Sequence, residues 1–76
     1  MKPNTGDRQM NAQLFAKTYI LGNEDAQAFP QDGLYQLADA RGYHRGSEEF
    51  EWFVSGGASF RFNGCTFETK SEDIQA

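Results

Sequence analysis

The sequence has few of the residues that form disulfides, bind metals or act as nucleophiles and bases. It contains one cysteine, Cys65, and one histidine, His44, in 76 residues. One cysteine cannot form a disulfide within the chain, and this pair cannot supply the four ligands of a structural zinc site. The disulfide-rich secreted domain and the zinc finger are therefore excluded. A Gly-rich phosphate loop and a His-Glu metal motif are also lacking, so the sequence predicts no cofactor and no bound metal.

Long hydrophobic runs are absent as well. The apolar runs at residues 19–21 and 52–54 are three residues long, whereas a membrane span needs roughly 18. Residues 1–6 lead into no hydrophobic segment of the kind that forms a signal peptide. We therefore expect a cytoplasmic protein with no membrane association.

Aliphatic residues are scarce, and this bears on whether the chain folds. Leu, Ile, Val and Phe account for fourteen residues, about 18% of the chain, a level at which disorder is a fair expectation. The net charge of −4 is small, however, and eight of the eleven aromatic residues lie between Tyr35 and Phe67. We predict one ordered domain over residues 7–69, with a flexible lead-in at 1–6 and a frayed tail at 70–76. Because so small a domain is marginally stable, a partner is its expected stabiliser.

The N-terminal third has the pattern of an amphipathic helix. A stripe of spacing i, i+4, i+7 and i+11 is formed by Met10, Leu14, Lys17 and Leu21. It predicts a helix over residues 8–21, with Asp7 as its N-cap and Gly22 as the residue that ends it. The β-branched and aromatic residues at 18–21 leave a short strand open as an alternative.

A second helix is predicted over residues 33–41. Its apolar positions share one face, Asp32 can cap its start, and Gly42 can end it. Between the two helices, Asn23 can cap a brief helical turn through residues 24–27.

The strongest local signal is an Asn-Gly pair inside an alternating segment, residues 59–68. A type I′ turn needs positive φ at both central residues, so Asn63-Gly64 predicts a two-residue β-hairpin turn. The pairing places four residues on one apolar face, namely Phe60, Phe62, Cys65 and Phe67.

Residues 49–55 alternate in the same way and predict a third strand, joined to the hairpin through residues 56–58. In this register Trp52 lies in the core and Phe53 projects from the outer face. A two-residue loop would instead bury Phe53 and leave Trp52 outside. The predicted fold is therefore α+β, with one or two N-terminal helices packed on a three-stranded antiparallel β-meander.

A catalytic site is not indicated. His44 and Cys65 are the one pair suited to nucleophilic catalysis, which needs a base beside the thiol. Cys65 is expected on the apolar hairpin face, where a buried cysteine is ordinary, and His44 in a glycine-flanked loop. We therefore predict that the protein is not an enzyme.

Two candidate binding features flank the predicted third strand. Glu48, Glu49 and Glu51 form the densest acidic patch, which suits a basic groove on a partner and equally suits a charged edge strand that prevents aggregation. An exposed Phe53 among these polar residues would resemble an interface anchor.

A basic loop precedes this strand. It carries two permanent cations, a stackable ring and an imidazole, from Arg41, Arg45, Tyr43 and His44. Such a loop can meet a phosphate or a carboxylate, or can simply be a solvated connection. The same region permits a helix-turn-helix interpretation with residues 47–54 as the second helix, but three glutamates on that helix would oppose DNA.

At the level of class alone, a short acidic chain without catalytic motifs resembles the small inhibitory proteins of phages and mobile elements, such as anti-CRISPR proteins, which occlude a larger target. No motif carries this likeness, so it assigns no functional residue. The main hypothesis is a protein-binding inhibitor or regulator that contacts a larger protein target. The alternatives are a nucleic-acid-binding regulator that uses the basic loop, and a structural subunit that self-associates, for instance as a homodimer.

Overall fold

The computed structural model describes the backbone of residues 4–75 and the side chains of residues 12–75. It contains the α-helices α1 (Asn4–Ala28), α2 (Leu34–Ala40) and α3 (Glu48–Asn63), followed by a short 3₁₀ helix at Ser71–Asp73. The described residues form no strand. The fold is all-α, and the predicted α+β fold with a β-meander is wrong.

Helix α1 is longer than the sequence predicts. It continues through Gly22 and ends at Ala28, two residues before Pro30, which disfavours helical geometry at the residue before it. A strand at residues 18–21 is excluded, because the Thr18 hydroxyl donates to the carbonyl of Leu14 at 2.6 Å inside the helix. Of the predicted stripe, Met10 lies outside the described side chains and the other three members are half-buried.

The buried face of α1 lies beside that stripe. It is formed by Thr18, Gly22, Asn23, Asp25 and Ala26, most of which are small or polar. Large apolar residues at helical spacing do not mark such a face, so the sequence pattern does not predict it. The N-cap role predicted for Asn23 is also wrong, since this residue lies within α1.

Helix α2 confirms the second predicted helix to within one residue at each end. Its N-cap is Gly33 and not Asp32, and no side chain caps it. Gly42 ends the segment with a φ of 85°, a left-handed conformation that favours glycine.

Helix α3 replaces both the predicted third strand and the predicted hairpin. It begins at an N-cap, Ser47, whose hydroxyl accepts from the Phe50 N–H at 3.1 Å. It ends at Asn63, and Gly64 has a φ of 71°. The Gly64 N–H donates to the Phe60 carbonyl at 2.8 Å, and the following N–H donates to Ser59 at 3.1 Å. The bond from Gly64 to Phe60 is that of an αL-type C-cap, so the positive φ that the Asn-Gly pair indicated ends a helix.

The core inverts the predicted strand register. Phe53 is 0% exposed and belongs to a cluster with Leu37, Ala38 and Phe50. Trp52, the expected core residue, is 42% exposed. In a helix, residues three or four apart share a face, so Phe50 and Phe53 point to the core together while Trp52 points aside.

Helices α1 and α3 make the closest contact in the molecule and run in the same direction. Phe15, near the middle of α1, stacks on Trp52 in the second turn of α3, and further along both helices Arg61 donates to the carbonyl of Phe29, just after α1, at 2.7 Å. A Cβ added at Gly22 would overlap the carbonyl of Phe53. The backbones therefore touch directly.

The second half of this contact lies at Gly56. A Cβ there would overlap the carbonyl of Tyr19. Gly56 is buried inside α3, so its predicted position in a loop between two strands is wrong. The glycine is needed here for close helix packing, not for a turn.

The chain after α3 returns along α1. Asn23 is 1% exposed, and its Nδ2 donates to the carbonyls of Gly56 at 3.1 Å and of Cys65 at 2.9 Å. Ser71 donates to the Glu24 carboxylate from both its N–H, at 2.9 Å, and its hydroxyl, at 2.6 Å. Cys65 itself is exposed, so its predicted burial on a hairpin face is wrong. The domain limits predicted from the sequence stay predictions.

Candidate protein-binding surface

A continuous row of aromatic rings crosses α1, α3 and the C-terminal segment. We call it the aromatic row, and it consists of Phe15, Trp52, Tyr19 and Phe67. The rings of Phe15 and Trp52 are parallel to within 6° with centroids 5.9 Å apart, and Tyr19 meets Trp52 edge to face at 5.9 Å. Tyr19 also meets Phe67 edge to face at 5.7 Å. Each ring is held by its neighbour, so the row is preorganised.

The row is open to solvent. Trp52 is 42% exposed and Phe67 is 39% exposed, while Phe15 and Tyr19 are half-buried. A large, rigid aromatic surface that stays outside the core is the composition that binding anchors have in protein interfaces.

An acidic edge borders Trp52. Glu48, Glu49 and Glu51, which we call the acidic turn, lie in the first turn of α3. Glu48 and Glu49 precede Trp52 by four and three residues and are therefore its neighbours on the helix surface. Part of their role is structural, because carboxylates near a helix N-terminus stabilise it. They do not form the predicted charged edge strand.

Arg41 of the predicted basic loop is engaged within the protein. Its Nε and Nη2 donate to the two carboxylate oxygens of Asp25, at 2.9 and 2.8 Å. Asp25 is buried, and this hydrogen bond raises the pKa of Arg41 above its ordinary value. This pair with a buried carboxylate uses two of the five N–H donors of Arg41 and neutralises its charge, which weakens its attraction for an external phosphate.

Arg45 is also paired. Its Nη2 donates to Asp39 at 2.8 Å, and its guanidinium carbon lies 5.0 Å from the centre of the Tyr35 ring and 5.8 Å from that of Phe50. The hydrogen bond to Asp39 raises the pKa of Arg45. Because this pair is exposed, an external anion competes for it more easily than for Arg41.

The remaining residues of the loop have separate positions. The Tyr43 ring packs on Phe53 with centroids 5.4 Å apart, which makes it part of the core boundary. His44 is exposed, and its carbonyl accepts from both the N–H and the hydroxyl of Ser47. The loop therefore holds Ser47, the N-cap of α3, in place through these two hydrogen bonds.

Of the residues predicted to bind a partner, Phe53 presents no surface, and its predicted exposure is wrong. The acidic turn is gathered on one helical turn, next to Trp52 rather than around Phe53. The helix-turn-helix alternative required a helix at residues 47–54, and α3 covers this segment from Glu48 onwards. Three glutamates, however, occupy the first turn of α3. Binding by these residues stays a prediction.

None of the four members of the aromatic row was among the predicted site residues, and Trp52 was expected in the core. The four-residue spacing of Phe15 and Tyr19 places both rings on one face of α1, which is the local signal that the sequence offers. Their meeting with Trp52 and Phe67 is a tertiary contact that no local pattern encodes.

A groove of about 530 Å³ lies between α1 and the C-terminal segment, lined in part by Asn23, Gln27 and Lys70. Two of its lining residues are hydrogen-bonded to each other: the exposed Gln27 donates to the side-chain oxygen of the buried Asn23 at 2.7 Å. Among the side chains that the structure describes, no three His, Cys, Asp or Glu residues gather as metal ligands would.

Comparison with known proteins finds no matching family model, no similar curated protein and no similar solved structure. None of the helices in the described part of the chain combines the length and the apolar character that crossing a bilayer requires.

Proposed function

We propose that this chain is a non-enzymatic, cytoplasmic protein-binding module that covers a site on a larger protein through its aromatic row. The observation that carries the proposal is the position of Trp52: stacked on Phe15, edged by Tyr19, and still 42% exposed. Trp and Tyr dominate interface hot spots because they bury much area and lose little conformational freedom.

Rigidity supports the same proposal. Immobilising a mobile aromatic side chain on binding costs conformational entropy and reduces the affinity. Trp52 avoids this cost, because Phe15 and Tyr19 already hold it in place. The acidic turn at its edge gives the surface a polar rim of one sign, which favours a partner of opposite charge and disfavours nucleic acid.

The nucleic-acid alternative is less well supported. Of the cations in the basic loop, Arg41 and Arg45 each face a carboxylate, and the net charge is −4. Phosphate binding would have to break at least one of these pairs.

The test is affinity capture from the native host with the full chain immobilised, followed by mass spectrometry. Three baits are compared: wild type, Trp52→Ala, and Phe62→Ala as a matched control, because Phe62 is 78% exposed and lies outside the aromatic row. The expected result is a protein retained by wild type and Phe62→Ala and lost with Trp52→Ala.

The dissociation constant of the purified partner is then measured for each bait. The activity of the partner is assayed with and without the chain, which tests whether the chain occludes its site. Equal capture by all three baits contradicts the proposal. Dimers in light scattering that dissociate with Trp52→Ala would assign the aromatic row to self-association instead, and a salt-sensitive gel shift with random duplex DNA would favour the nucleic-acid alternative.

A further inference from the structure

Within residues 12–75, one arginine, Arg45, lies between two aromatic rings and a carboxylate. The Arg45 guanidinium lies over the Tyr35 and Phe50 rings while its Nη2 donates to Asp39 at 2.8 Å. Arginine suits this position because its planar group stacks on an aromatic face and still presents a fork of donors to a carboxylate. The arrangement shows what geometry such a pairing takes on this fold.

The aromatic row has the same components except the cation. Trp52 offers the ring with the strongest attraction for cations, and Glu48 and Glu49 stand one helical turn before it. Among the side chains that the structure describes, Arg45 is the one cation found over an aromatic ring, and the rings that it covers, Tyr35 and Phe50, are not members of the aromatic row. Ring and carboxylates are therefore present at Trp52 without a described arginine.

We propose that the protein partner supplies this arginine: a basic, partly apolar segment whose guanidinium stacks on Trp52 and pairs with Glu48 or Glu49. The inference rests on the proposed function and specifies the chemistry of the partner. Charge complementarity supports it, since Glu48 and Glu49 are neighbours of the ring on the helix surface and the chain carries a net charge of −4. Arginine is preferred over lysine, because an ammonium ion cannot stack and form a fork at once.

The experiment uses the full chain and a displayed library of random 12-residue peptides as the probe. Trp52 is the only tryptophan, so its fluorescence reports binding of each recovered peptide at the proposed site directly. The expected peptides contain arginine beside an apolar residue and change the Trp52 emission. Replacing that arginine with citrulline, which is neutral and of the same shape, should weaken binding about tenfold, and replacing it with lysine should weaken it less.

Variants of the protein identify the contact. Glu48→Gln combined with Glu49→Gln should weaken the arginine peptide about tenfold and leave the citrulline peptide unchanged, which is the signature of a direct pair in a double-mutant cycle. Trp52→Phe, which keeps a ring with a weaker attraction for cations, should weaken the arginine peptide, and Phe62→Ala should not. Binding to the Trp52 variants, which lack the fluorescent reporter, is measured by isothermal titration calorimetry.

The outcomes separate this inference from the proposed function. Peptides that bind the aromatic row but tolerate citrulline overturn the arginine and leave the binding surface standing. Peptides that bind Trp52→Ala as well as wild type overturn the aromatic row itself. A library that yields no binder also overturns the inference, while the capture experiment decides the proposed function independently.

Discussion

Asn23 donates a hydrogen bond from its side-chain amide to the carbonyl of Gly56 at 3.1 Å, which joins α1 to the interior of α3. The same nitrogen donates to Cys65 at 2.9 Å and so ties the chain beyond α3 to the helix pair. One buried amide thus connects three segments, and both of its N–H bonds are used.

Asn23→Asp should therefore destabilise the fold by about 2 to 4 kcal/mol at neutral pH, because a carboxylate faces two carbonyl oxygens and has no donor for them. Stability should recover in part as the pH falls, since burial favours the protonated carboxyl, which regains one donor. Urea denaturation at several pH values measures both effects. Gln36→Ala is the control, with an expected loss below about 1 kcal/mol, because Gln36 is exposed on α2. A variant as stable as wild type at neutral pH would contradict the role of the amide.

Gly22→Ala should push α1 and α3 apart, because the added methyl overlaps the Phe53 carbonyl, which belongs to a helix backbone and cannot move alone. The expected loss is about 2 to 4 kcal/mol, at the upper end for overpacking. Gly33→Ala is the matched control, since no atom lies within 4 Å of a Cβ there; its expected effect is below about 1 kcal/mol. Equal melting temperatures for the two variants would show that the helices are not in backbone contact.

Phe53→Ala should destabilise the domain by about 3 to 5 kcal/mol, as expected for emptying a fully buried aromatic site. Trp52→Ala should lose only about 1 to 2 kcal/mol, from the contacts with Phe15 and Tyr19. Chemical denaturation of both variants, with circular dichroism as the probe, measures the difference. The reverse order of stabilities would support the strand register that the sequence suggested.

Asp25→Asn should cost about 1 to 3 kcal/mol, because it removes a bidentate partner of Arg41 at a buried position. Asp39→Asn, at the exposed pair with Arg45, should cost much less, because solvent screens this pair. The pKa of Arg41 is raised, so its contribution is complete below its ordinary pKa and is lost only as the pH rises beyond it. The difference between wild type and Asp25→Asn should therefore be constant from about pH 6 to 9. A loss confined to part of that range would indicate another titrating group.

Helix α2 could be predicted from the sequence because its signals are local: apolar residues share one face and Gly42 must adopt positive φ to end it. Residues 48–63 could not, because each of their local signals has two meanings. Phe50, Trp52 and Val54 alternate as in a strand, yet Phe50, Phe53 and Phe60 also fit a helical face. Asn63-Gly64 suits a hairpin turn and a helix C-cap equally well.

The decision between these meanings is tertiary. Gly56 lowers the helix propensity of its segment and therefore favours a loop prediction. Inside α3, however, a glycine is required there, because a Cβ would overlap the carbonyl of Tyr19. The three glutamates of the acidic turn lie within four consecutive residues and are close together in any local structure, whereas the aromatic row depends on α1 and α3 running in the same direction. No pattern within either segment determines that direction.

The contact of Gly22 and Gly56 with main-chain carbonyls has a consequence for how this protein can change over time. The separation of α1 and α3 is set by backbone atoms, which every residue possesses, and not by the size of the side chains on either flank. Substitutions at Phe15, Trp52 or Glu48 can therefore alter what the surface recognises while the two helices keep their spacing. The fold can adapt to a changing target by altering one face, provided that the two glycines are retained.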